Sequence, residues 1–413
     1  MEQLFKSLCV IGLGYIGLPT AVVFAEHGLE VFGADVKAAT VDAINKGEVP
    51  LVEPELAEHM AAVVASGKLS ASLEPRAADA AILAVPTPFL PDRTADLSYI
   101  ESAAAMLGPT LRPGSLVILE STSPPGTTEK LAGWLTAARP DLVDENGSLR
   151  VDVVHCPERV LPGHILAEIR TNDRIIGGLS PTGAMRAKEL YSIICEGEIL
   201  LTDAKTAEMS KCVENSFRDV NIAFANELSV VCDTLGINVW ELIELANHHP
   251  RVNILSPGPG VGGHCLAVDP WFIVAADPVN AKIIRLAREI NDAKPAWVVD
   301  KVRHAVVGTP HPVIAALGLA FKPDIDDLRE SPARHVTESL GRDLPDATIL
   351  AVEPNITHLP HELAALPNVR LVDYHTAIGQ ADCIVLLVDH KEFLHQPHVR
   401  EGVTVIDTRG AWR

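Results

Sequence analysis

The stretch Ser7-Leu8-Cys9-Val10-Ile11-Gly12-Leu13-Gly14-Tyr15-Ile16-Gly17 passes from an apolar run into three glycines at the spacing G-x-G-x-x-G. The run predicts a β-strand, and Leu18 to His27 predicts a helix that Gly28 ends. A second apolar strand is predicted from Glu30 to Ala34, directly before Asp35. This order of strand, glycine turn, helix, strand and acid is typical of the first half of a doubly wound α/β domain.

The same stretch predicts a dinucleotide site. Glycines permit a tight turn and let a pyrophosphate approach the backbone, so that it lies at the helix N-terminus. Asp35 follows Gly12 by 23 residues, which is the place of an acid that accepts hydrogen bonds from an adenosine ribose. Because a carboxylate repels a 2′-phosphate, we expect NAD rather than NADP.

Polar residues follow the later strands of this domain. The predicted strands are Ala80 to Val85, Leu116 to Leu119 and Val151 to His155. Helical segments separate them, which predicts a parallel sheet whose ligands gather at the carboxyl ends of the strands. Thr87, Thr122 and Glu158 fall at these ends. Ordinary loop polarity is the alternative interpretation of each.

A single helix is predicted from Thr206 to Leu235, without an internal Gly or Pro. Lys211, Asn215 and Asp219 recur every four residues and therefore share one face. An apolar face is supplied by Val213, Phe217, Val220 and Phe224. The polar stripe is either solvated or packed against a site or a partner chain, and the apolar character of the rest favours the second.

The loop from Ser256 to Trp271 contains four glycines and delivers one cysteine, Cys265. Asp269-Pro270 follows as an N-cap and first-turn pair, so a helix is expected to start there. An earlier helix is expected from Val239 to Asn247. A thiol near a helix N-terminus favours the thiolate. A glycine-rich turn with a buried structural cysteine remains the alternative.

A helix is predicted to begin near Val279, and Lys294-Pro295 is expected to kink or break it. A second α/β pattern follows. Its predicted strands are Val313 to Leu319, Thr348 to Val352, Cys383 to Val388 and Val403 to Ile406. The fold class is therefore α/β, with two Rossmann-like doubly wound parallel-sheet domains joined by a central helical region. We expect a dinucleotide-binding domain at 1–200, a central helical domain at 201–305 that carries the glycine loop, and a second Rossmann-like domain at 306–413.

Composition excludes several classes of function. The chain has 413 residues, 34 basic against 54 acidic, and a formal charge of −20 without a basic cluster, so nucleic-acid binding is not expected. The seven cysteines are scattered and never form C-x-x-C, which predicts no zinc or other metal site and fits the reducing cytoplasm. No run of 18 uninterrupted apolar residues appears, so no membrane span is expected.

Further motifs accompany the glycine turn: Cys156-Pro157-Glu158-Arg159, Lys211 with Asn215, Gly262-Gly263-His264-Cys265, and Phe321-Lys322-Pro323-Asp324. Together these resemble the UDP-glucose/GDP-mannose dehydrogenase family over nearly the whole chain. The runs 214–221, 224–228, 249–253 and 268–271 are most similar to members that oxidise UDP-N-acetyl-D-mannosamine. Members acting on UDP-N-acetylglucosamine are a close alternative. An aromatic residue often follows the cysteine in members that act on UDP-glucose, and here Leu266 does.

The resemblance implies an NAD-dependent, four-electron oxidation of a sugar C6 alcohol to a carboxylate. By similarity Cys265 is the nucleophile, which would form a thiohemiacetal and then a thioester. The implied catalytic residues are Cys265, Lys211, Asn215, Asp269, Glu158 and Thr122. The expected NAD contacts are Gly12, Gly14, Tyr15, Ile16, Gly17, Asp35, Val85, Thr87, Thr122 and Arg329.

For the UDP-sugar, the resemblance implies contacts from Glu158, Arg159, Lys211, Asn215, Arg251, Gly262, Lys322 and Arg409. Arg251 resembles an arginine that family members contribute across a homodimer interface. A few converging cations would let a chain of charge −20 bind a diphosphate. Two other interpretations stay open, a non-catalytic NAD sensor or scaffold and a two-electron hydroxyacid dehydrogenase. Neither gives the cysteine a role.

Overall fold

The structure is a computed structural model that describes residues 4–50, 53, 55–160, 164–263, 265–395 and 397–412. The chain divides into two compact units, Met1–Glu214 and Asn215–Arg413. The proposed division into three domains is finer than this and stays a prediction. Among the described residues, no helix has both the length and the apolar character that crossing a bilayer requires.

The first unit is built on an eight-stranded sheet of order β3-β2-β1-β4-β5-β6-β7-β8. Its strands are β1 Ser7–Ile11, β2 Glu30–Ala34, β3 Leu69–Ser72, β4 Ala80–Leu83, β5 Leu116–Leu119, β6 Asp152–His155, β7 Arg174–Gly178 and β8 Ile199–Asp203. Its helices are α1 Gly17–Glu26, α2 Ala38–Asn45, α3 Leu56–Ala65, α4 Ser98–Leu107, α5 Thr127–Ala138, α6 Ile165–Thr171 and α7 Pro181–Tyr191. The first six strands have the order of a dinucleotide-binding domain, which confirms the predicted fold class.

Burial explains why the central strands were readable from the sequence. Strands β4 and β5 are buried along their whole length, so each is a continuous apolar run rather than an alternating one. Strand β7, which the sequence analysis did not predict, pairs with β6 in the antiparallel direction. The two glycines that end β7 leave room for a close neighbour: a Cβ on Gly177 would lie 2.3 Å from Asp203 O.

The second unit contains a five-stranded parallel sheet of order β11-β10-β9-β12-β13. Its strands are β9 Val313–Leu317, β10 Thr348–Val352, β11 Val369–Leu371, β12 Cys383–Leu386 and β13 Thr404–Asp407. The helix α8 Ala204–Leu235 begins in the first unit and continues into the second. It is followed by α9 Val239–Asn247, α10 Asp269–Ala276, α11 Lys282–Ala305, α12 Pro332–Asp343, α13 His361–Ala364 and α14 Tyr374–Gln380.

Helix α11 corrects the expected break at Lys294-Pro295, because the helix continues through Pro295 to Ala305. Proline removes one backbone hydrogen bond, but tertiary packing compensates on both sides of it. The Lys294 ammonium lies 3.8 Å from the centre of the Trp297 ring. Val298 and the later apolar residues of α11 are buried in the core of the C-terminal sheet. The helix also starts at Lys282 rather than near Val279.

Helix α8 has its polar stripe buried and its apolar face exposed. Asn215 and Asp219 are buried, so the interpretation of the stripe as solvated is wrong for these two residues. Phe217 is 67% exposed and Phe224 is 52% exposed in this single chain. The polar residues therefore face the protein interior, and a large apolar surface is left without cover from its own chain.

Candidate active site

The glycine turn between β1 and α1 has the geometry of a dinucleotide-binding turn. Gly12 has a φ of +90°, and a Cβ there would lie 2.5 Å from Ala84 O. A Cβ on Gly17 would lie 1.9 Å from Gly12 O. At Gly14, by contrast, no described heavy atom lies within 4 Å of such a Cβ. The turn therefore requires glycine for its own packing at two positions and leaves open space at the third, which fits an approaching pyrophosphate.

The acid of the motif closes the same turn. Asp35 Oδ2 accepts a hydrogen bond from Leu13 N at 3.0 Å, and its Oδ1 accepts one from Lys37 N at 2.9 Å. These bonds fix the carboxylate beside the glycines, where an adenosine ribose is expected. The helix begins at Gly17 with Ile16 as its N-cap residue, while Tyr15 is exposed. Residues 12–17 and Asp35 thus fit NAD.

The predicted residues at the ends of β4 and β5 are brought together. Thr87 Oγ1 donates a hydrogen bond to Thr122 O at 2.5 Å. Val85 is held by Ser121 Oγ, which accepts from Val85 N at 2.9 Å and donates to Val85 O at 2.7 Å. Because these strands are neighbours in the sheet, their polar ends form one edge beside the glycine turn.

Glu158 is buried at the end of β6 and is paired rather than exposed on a loop. Its Oε2 accepts a hydrogen bond from Arg174 Nη2 at 2.9 Å, and its Oε1 accepts one from Arg159 N at 2.7 Å. The side chain of Arg159 pairs with Glu214 of α8 at 2.7 Å and donates to Asp173 O at 3.2 Å. Both residues of the motif are therefore fixed by contacts in the first unit.

Sequence reasoning missed the cluster behind Glu158. Glu120, which directly follows β5, accepts a hydrogen bond from Tyr191 OH at 2.9 Å and lies 3.9 Å from Arg174 Nη1. Burial, together with the negative charge of Glu158, raises the pKa of Glu120 to about 8, although Arg174 opposes the shift. The position of Glu120 at a strand end was a signal, but its partners are more than 50 residues away along the chain.

In the second unit, Asn215 and Asp269 are in direct contact. Asn215 Nδ2 donates to Asp269 Oδ2 at 2.5 Å, and both side chains are buried. The backbone N–H groups of Val268 and Asp269 donate to Cys265 O at 3.0 and 2.9 Å. Cys265 and Asp269 are thus held in one hydrogen-bonded turn that leads into α10. Lys211 is half-buried on α8, one turn before Asn215.

The predicted N-cap role of Asp269 is wrong. Helix α10 does begin where Asp269-Pro270 was expected to start a helix, but the N-cap position is Val268, which provides no side-chain cap hydrogen bond. Asp269 is the first helical residue, and its carboxylate points to Asn215 instead. The turn formed by Cys265 already accepts the first N–H groups, so the side chain is available for this contact.

The glycines of the loop lie close to neighbouring parts of the second unit. A Cβ on Gly258 would lie 2.6 Å from Arg409 Nη1, and a Cβ on Gly262 would lie 2.5 Å from Glu330 O. Gly263 has a φ of +84°, and its Cβ would lie 3.0 Å from the Phe321 ring. The loop thus packs on the segment 321–332 and on Arg409. His264 lies outside the described residues.

Cys265 differs from the deeply buried cysteines in its environment. Burial raises the pKa of Cys9 to about 11 and those of Cys156 and Cys383 to about 12. Cys265 is only half-buried in the loop, and no disulfide joins any of the seven cysteines, all of which lie in the described part of the chain. Cys265 therefore lacks the deep burial of Cys9, Cys156 and Cys383.

The predicted cations of the second unit lie in different settings. Arg409 touches the loop at Gly258, and its Nε donates to Asp389 Oδ1 at 2.8 Å. Lys322 is exposed directly after Phe321, which packs on Gly263. Arg329 pairs with Asp327 through Nε at 2.9 Å and Nη2 at 2.6 Å. Arg251 is exposed beyond the end of α9.

Three family models match the chain in succession and decide its family. They are the NAD binding domain over residues 6–195, the central domain over 205–293 and the UDP binding domain over 315–413 of the UDP-glucose/GDP-mannose dehydrogenases. The chain belongs to the UDP-glucose/GDP-mannose dehydrogenase family. It is an NAD-dependent UDP-sugar dehydrogenase, which confirms the predicted family, enzyme class and cofactor. A non-catalytic sensor is thereby set aside.

Individual relatives share most of the chain. The NDP-N-acetyl-D-galactosaminuronic acid dehydrogenase of Ralstonia nicotianae (strain ATCC BAA-1114 / GMI1000) is 54% identical, over 99% of this chain and 96% of its own. The UDP-N-acetyl-D-mannosamine dehydrogenase of Salmonella typhi is 53% identical, over 99% of this chain and 100% of its own. The solved structure of the UDP-D-ManNAc dehydrogenase from Pyrococcus horikoshii is 38% identical with a TM-score of 0.87, over 98% of this chain and 96% of that one.

Proposed function

We propose that this chain oxidises the C6 hydroxyl of UDP-N-acetyl-D-mannosamine to a carboxylate through a covalent intermediate on Cys265. The observation that carries the proposal is the direct pairing of Asn215 with Asp269 at 2.5 Å, in the turn that also holds Cys265. A buried amide and carboxylate beside a half-buried thiol supply a hydrogen-bond donor, a proton acceptor and a nucleophile. These are the groups that an alcohol oxidation followed by covalent capture requires.

Two molecules of NAD, bound in succession, would each accept one hydride, one for each oxidation. In the first, the C6 hydroxyl loses its proton as the carbon loses a hydride, so negative charge develops on the oxygen. Lys211 and Asn215, one turn apart on α8, stabilise that oxyanion and hold ordered water. Asp269 assists the proton transfer, and Asn215 orients its carboxylate.

Covalent capture explains the cysteine. The Cys265 thiolate adds to the aldehyde carbon, and the carbonyl oxygen takes up a proton to give a thiohemiacetal. The second oxidation removes the remaining C6 hydrogen as hydride and the hydroxyl proton, which leaves a thioester. Water then releases the carboxylate and restores the thiol, with Glu158 and Thr122 taking part in the hydrolysis. The aldehyde stays bound throughout, so it cannot escape between the oxidations.

Substrate recognition is assigned to cations and backbone around the loop. Arg409 beside Gly258, Lys322 after Phe321 and Gly262 itself lie on the parts of the second unit that pack together. We assign them to the diphosphate and sugar, with Arg159 and Glu158 acting from the first unit. Arg329 is assigned to NAD. The family's UDP binding domain, matched over residues 315–413, supports a nucleotide contact in this lobe.

A homodimer is part of the proposal, with Arg251 reaching the partner's substrate. It is supported by large apolar side chains that are exposed on α8 and on the neighbouring helices and loops. These are Val213, Phe217, Phe224, Val231, Leu235, Ile237, Leu245, Val252, Val279, Ile283 and Leu286. Many exposed apolar side chains on one helix and the segments that follow it are typical of a protein interface. We further propose three domains, at 1–200, 201–305 and 306–413, and a cytoplasmic location, which the cysteines without disulfides support.

The sugar epimer has a second candidate. The relative from Ralstonia nicotianae carries a name that specifies N-acetyl-D-galactosaminuronic acid, and its identity to this chain is about equal to that of the relative named for N-acetyl-D-mannosamine. Both names specify an N-acetylated hexosamine, and Leu266 after the cysteine points the same way. UDP-N-acetylglucosamine and UDP-glucose are weaker alternatives.

A substrate panel tests the assignment. Initial rates of NADH formation are measured with UDP-N-acetylmannosamine, UDP-N-acetylgalactosamine, UDP-N-acetylglucosamine, UDP-glucose and GDP-mannose. We expect the highest kcat/KM for UDP-N-acetylmannosamine. A higher value for the galacto epimer would replace the proposed substrate and keep the mechanism. Turnover of none of the five would overturn the proposed function.

A further inference from the structure

Four buried polar side chains connect α8 and α11 with the loop that carries Cys265. They are Asp219 and Asn226 on α8 and Arg288 and Asn291 on α11, and we call them the loop clamp. All four are at most 1% exposed. Asp219 belongs to the polar stripe that the sequence shows on α8. The proposed chemistry gives none of the four residues a role.

The clamp is a continuous chain of hydrogen bonds. Asp219 Oδ1 accepts from Arg288 Nη1 at 2.6 Å and from Asn291 Nδ2 at 2.8 Å. Asn291 Oδ1 accepts from Asn226 Nδ2 at 2.9 Å. Arg288 also pairs with Asp292, one turn further along α11. Each side chain thus orients the next across the interface between the two helices.

Both ends of this chain terminate on loop backbone. Asn226 Oδ1 accepts from Gly258 N at 2.8 Å, and Arg288 Nη1 lies 3.5 Å from Leu266 O. Gly258 stands between Pro257 and Pro259, which have no N–H, so its N–H is the single backbone donor of that triplet. These two contacts lie on either side of Cys265 in the sequence. Gly258 precedes it in the loop, and Leu266 directly follows it.

The cost of burial argues for a role beyond helix packing. Apolar side chains of similar volume would join the two helices without desolvating a charge pair. Here Asp219 Oδ2 and Arg288 Nε are buried without a hydrogen-bond partner among the described residues. Burial also raises the pKa of Asp219, and Arg288 opposes this shift. Such a buried polar network holds the groups that it bonds in one position. Here those groups include the backbone of the loop.

We infer that the loop clamp positions the Cys265 loop for reaction. Asp219, Asn226, Arg288 and Asn291 are positioning residues in this account, since they act through the backbone rather than on the sugar. The assignment of Cys265 as nucleophile comes from the proposed function, on which the kinetic part of this inference rests. The ordering of the loop is measurable without any substrate.

The test uses two variants and one matched control in the full chain. Asp219→Asn removes the charge and keeps the shape, and Asn226→Ala removes the acceptor of the Gly258 N–H. Asp233→Asn is the control, because Asp233 also pairs α8 with α11, through Lys301 at 2.5 Å, but far along the helix from the loop. Backbone hydrogen exchange is followed by mass spectrometry, and kcat and KM are measured with the best UDP-sugar.

We expect exchange in residues 256–263 to accelerate about tenfold in both variants, the size that loss of one buried hydrogen bond gives, while the glycine turn at 12–17 keeps its rate. We also expect kcat to fall about tenfold or more with the KM for NAD unchanged. Asp233→Asn should match the wild type in both readouts. A merely destabilising change would accelerate exchange throughout the chain.

Wild-type exchange in residues 256–263 of both variants would overturn the inference. So would faster exchange with an unaltered kcat, because the clamp would then order the loop without positioning the reaction. If the wild-type chain turns over no UDP-sugar but the variants exchange faster at the loop, the proposed function fails and the ordering of the loop by the clamp stands. The two failures are therefore distinguishable.

Discussion

Single residues in this chain take their chemical character from burial. Cys156 is fully buried and its pKa is raised to about 12, whereas Cys265 lies half-buried in a turn that precedes a helix. Similarly, Glu120 and Glu158 share Arg174, and the pKa of Glu120 is the one raised to about 8. The same residue type is therefore inert in one place and suited to chemistry in another.

Replacing Cys265 tests the nucleophile. Cys265→Ala is expected to abolish uronic acid formation, because no thioester forms. Product is measured by mass spectrometry of the nucleotide sugar. Cys195→Ala is the control, since Cys195 is also half-buried but bonds to Asn172 O in the first unit. Acid formation by Cys265→Ala at the wild-type rate would contradict the role.

Replacing Glu120 tests the buried acid. The folded chain keeps a proton on Glu120 up to about pH 8, whereas the unfolded chain loses it near the ordinary value of 4.5. The contribution of this group to the free energy of unfolding therefore falls as pH rises from about 5 to about 8. Glu120→Gln should lose less stability over that range than the wild type, as measured by urea denaturation.

The control for this measurement is Glu129→Gln, an exposed carboxylate on α5 that pairs with Lys205 on the surface. Its free energy of unfolding should change from about pH 5 to about pH 8 as that of the wild type does, because a surface pair contributes little. An equal pH dependence of unfolding in Glu120→Gln and the wild type would show that Glu120 is ionised in the folded chain.

Whether the sequence predicted the role of a residue depends on how far away along the chain its partners lie. Gly12 and Asp35 were predicted because their roles follow from a local spacing. In the structure, Asp35 accepts a hydrogen bond from Leu13 N in the glycine turn. Glu120 and Arg174 were missed because their pairing depends on which strands are neighbours. The N-cap role of Asp269 failed for a similar reason, since Asn215, 54 residues away, binds its carboxylate.

Helix α8 shows how elements obtain their function from two faces. Its polar face supplies Asn215 and the clamp residues Asp219 and Asn226 to the interior. Its opposite face carries Phe217 and Phe224 in the open, which a second copy of the chain would cover. One element would then support the reaction and the dimer, and its continuous length of 32 residues suits both.

Changing the exposed face tests the dimer. Phe217→Asp combined with Phe224→Asp is expected to convert a dimer into monomers, because two carboxylates would be buried at an apolar interface. Sedimentation velocity measures the mass. Val307→Asp is the control, since Val307 is 78% exposed and lies in the connector before β9. A wild-type chain that sediments as a monomer would contradict the proposed interface.

At the scale of elements, the sequence predicted what local pattern determines. The bounds of β1, β2, β5 and α9 match the predicted ranges residue for residue. The break expected at Pro295 failed because packing of α11 on the C-terminal core overrides the local preference of proline. The antiparallel pairing of β7 with β6 was not predicted, because strand direction is set by tertiary contacts and leaves no local pattern.

The molecule as a whole combines two units of related architecture with different turns after their first strand. Gly12 N donates to Ala34 O and Gly318 N to Val352 O, each at 2.8 Å. In the first unit, Asp35 accepts from Leu13 N in the glycine turn that follows. In the second, Glu353 accepts from Leu319 N and Ala320 N and is bonded to the buried His390. An acid after the second strand therefore holds the turn in both units, although the second unit lacks the G-x-G-x-x-G spacing.

The central claim is that one active site carries out both oxidations of one sugar, and it is tested by counting NADH. With limiting UDP-N-acetylmannosamine and excess NAD, absorbance at the end of the reaction gives the NADH formed per sugar, and mass spectrometry identifies the product. We expect two NADH and a uronic acid for each sugar, without released aldehyde. One NADH per sugar with accumulating aldehyde would contradict it.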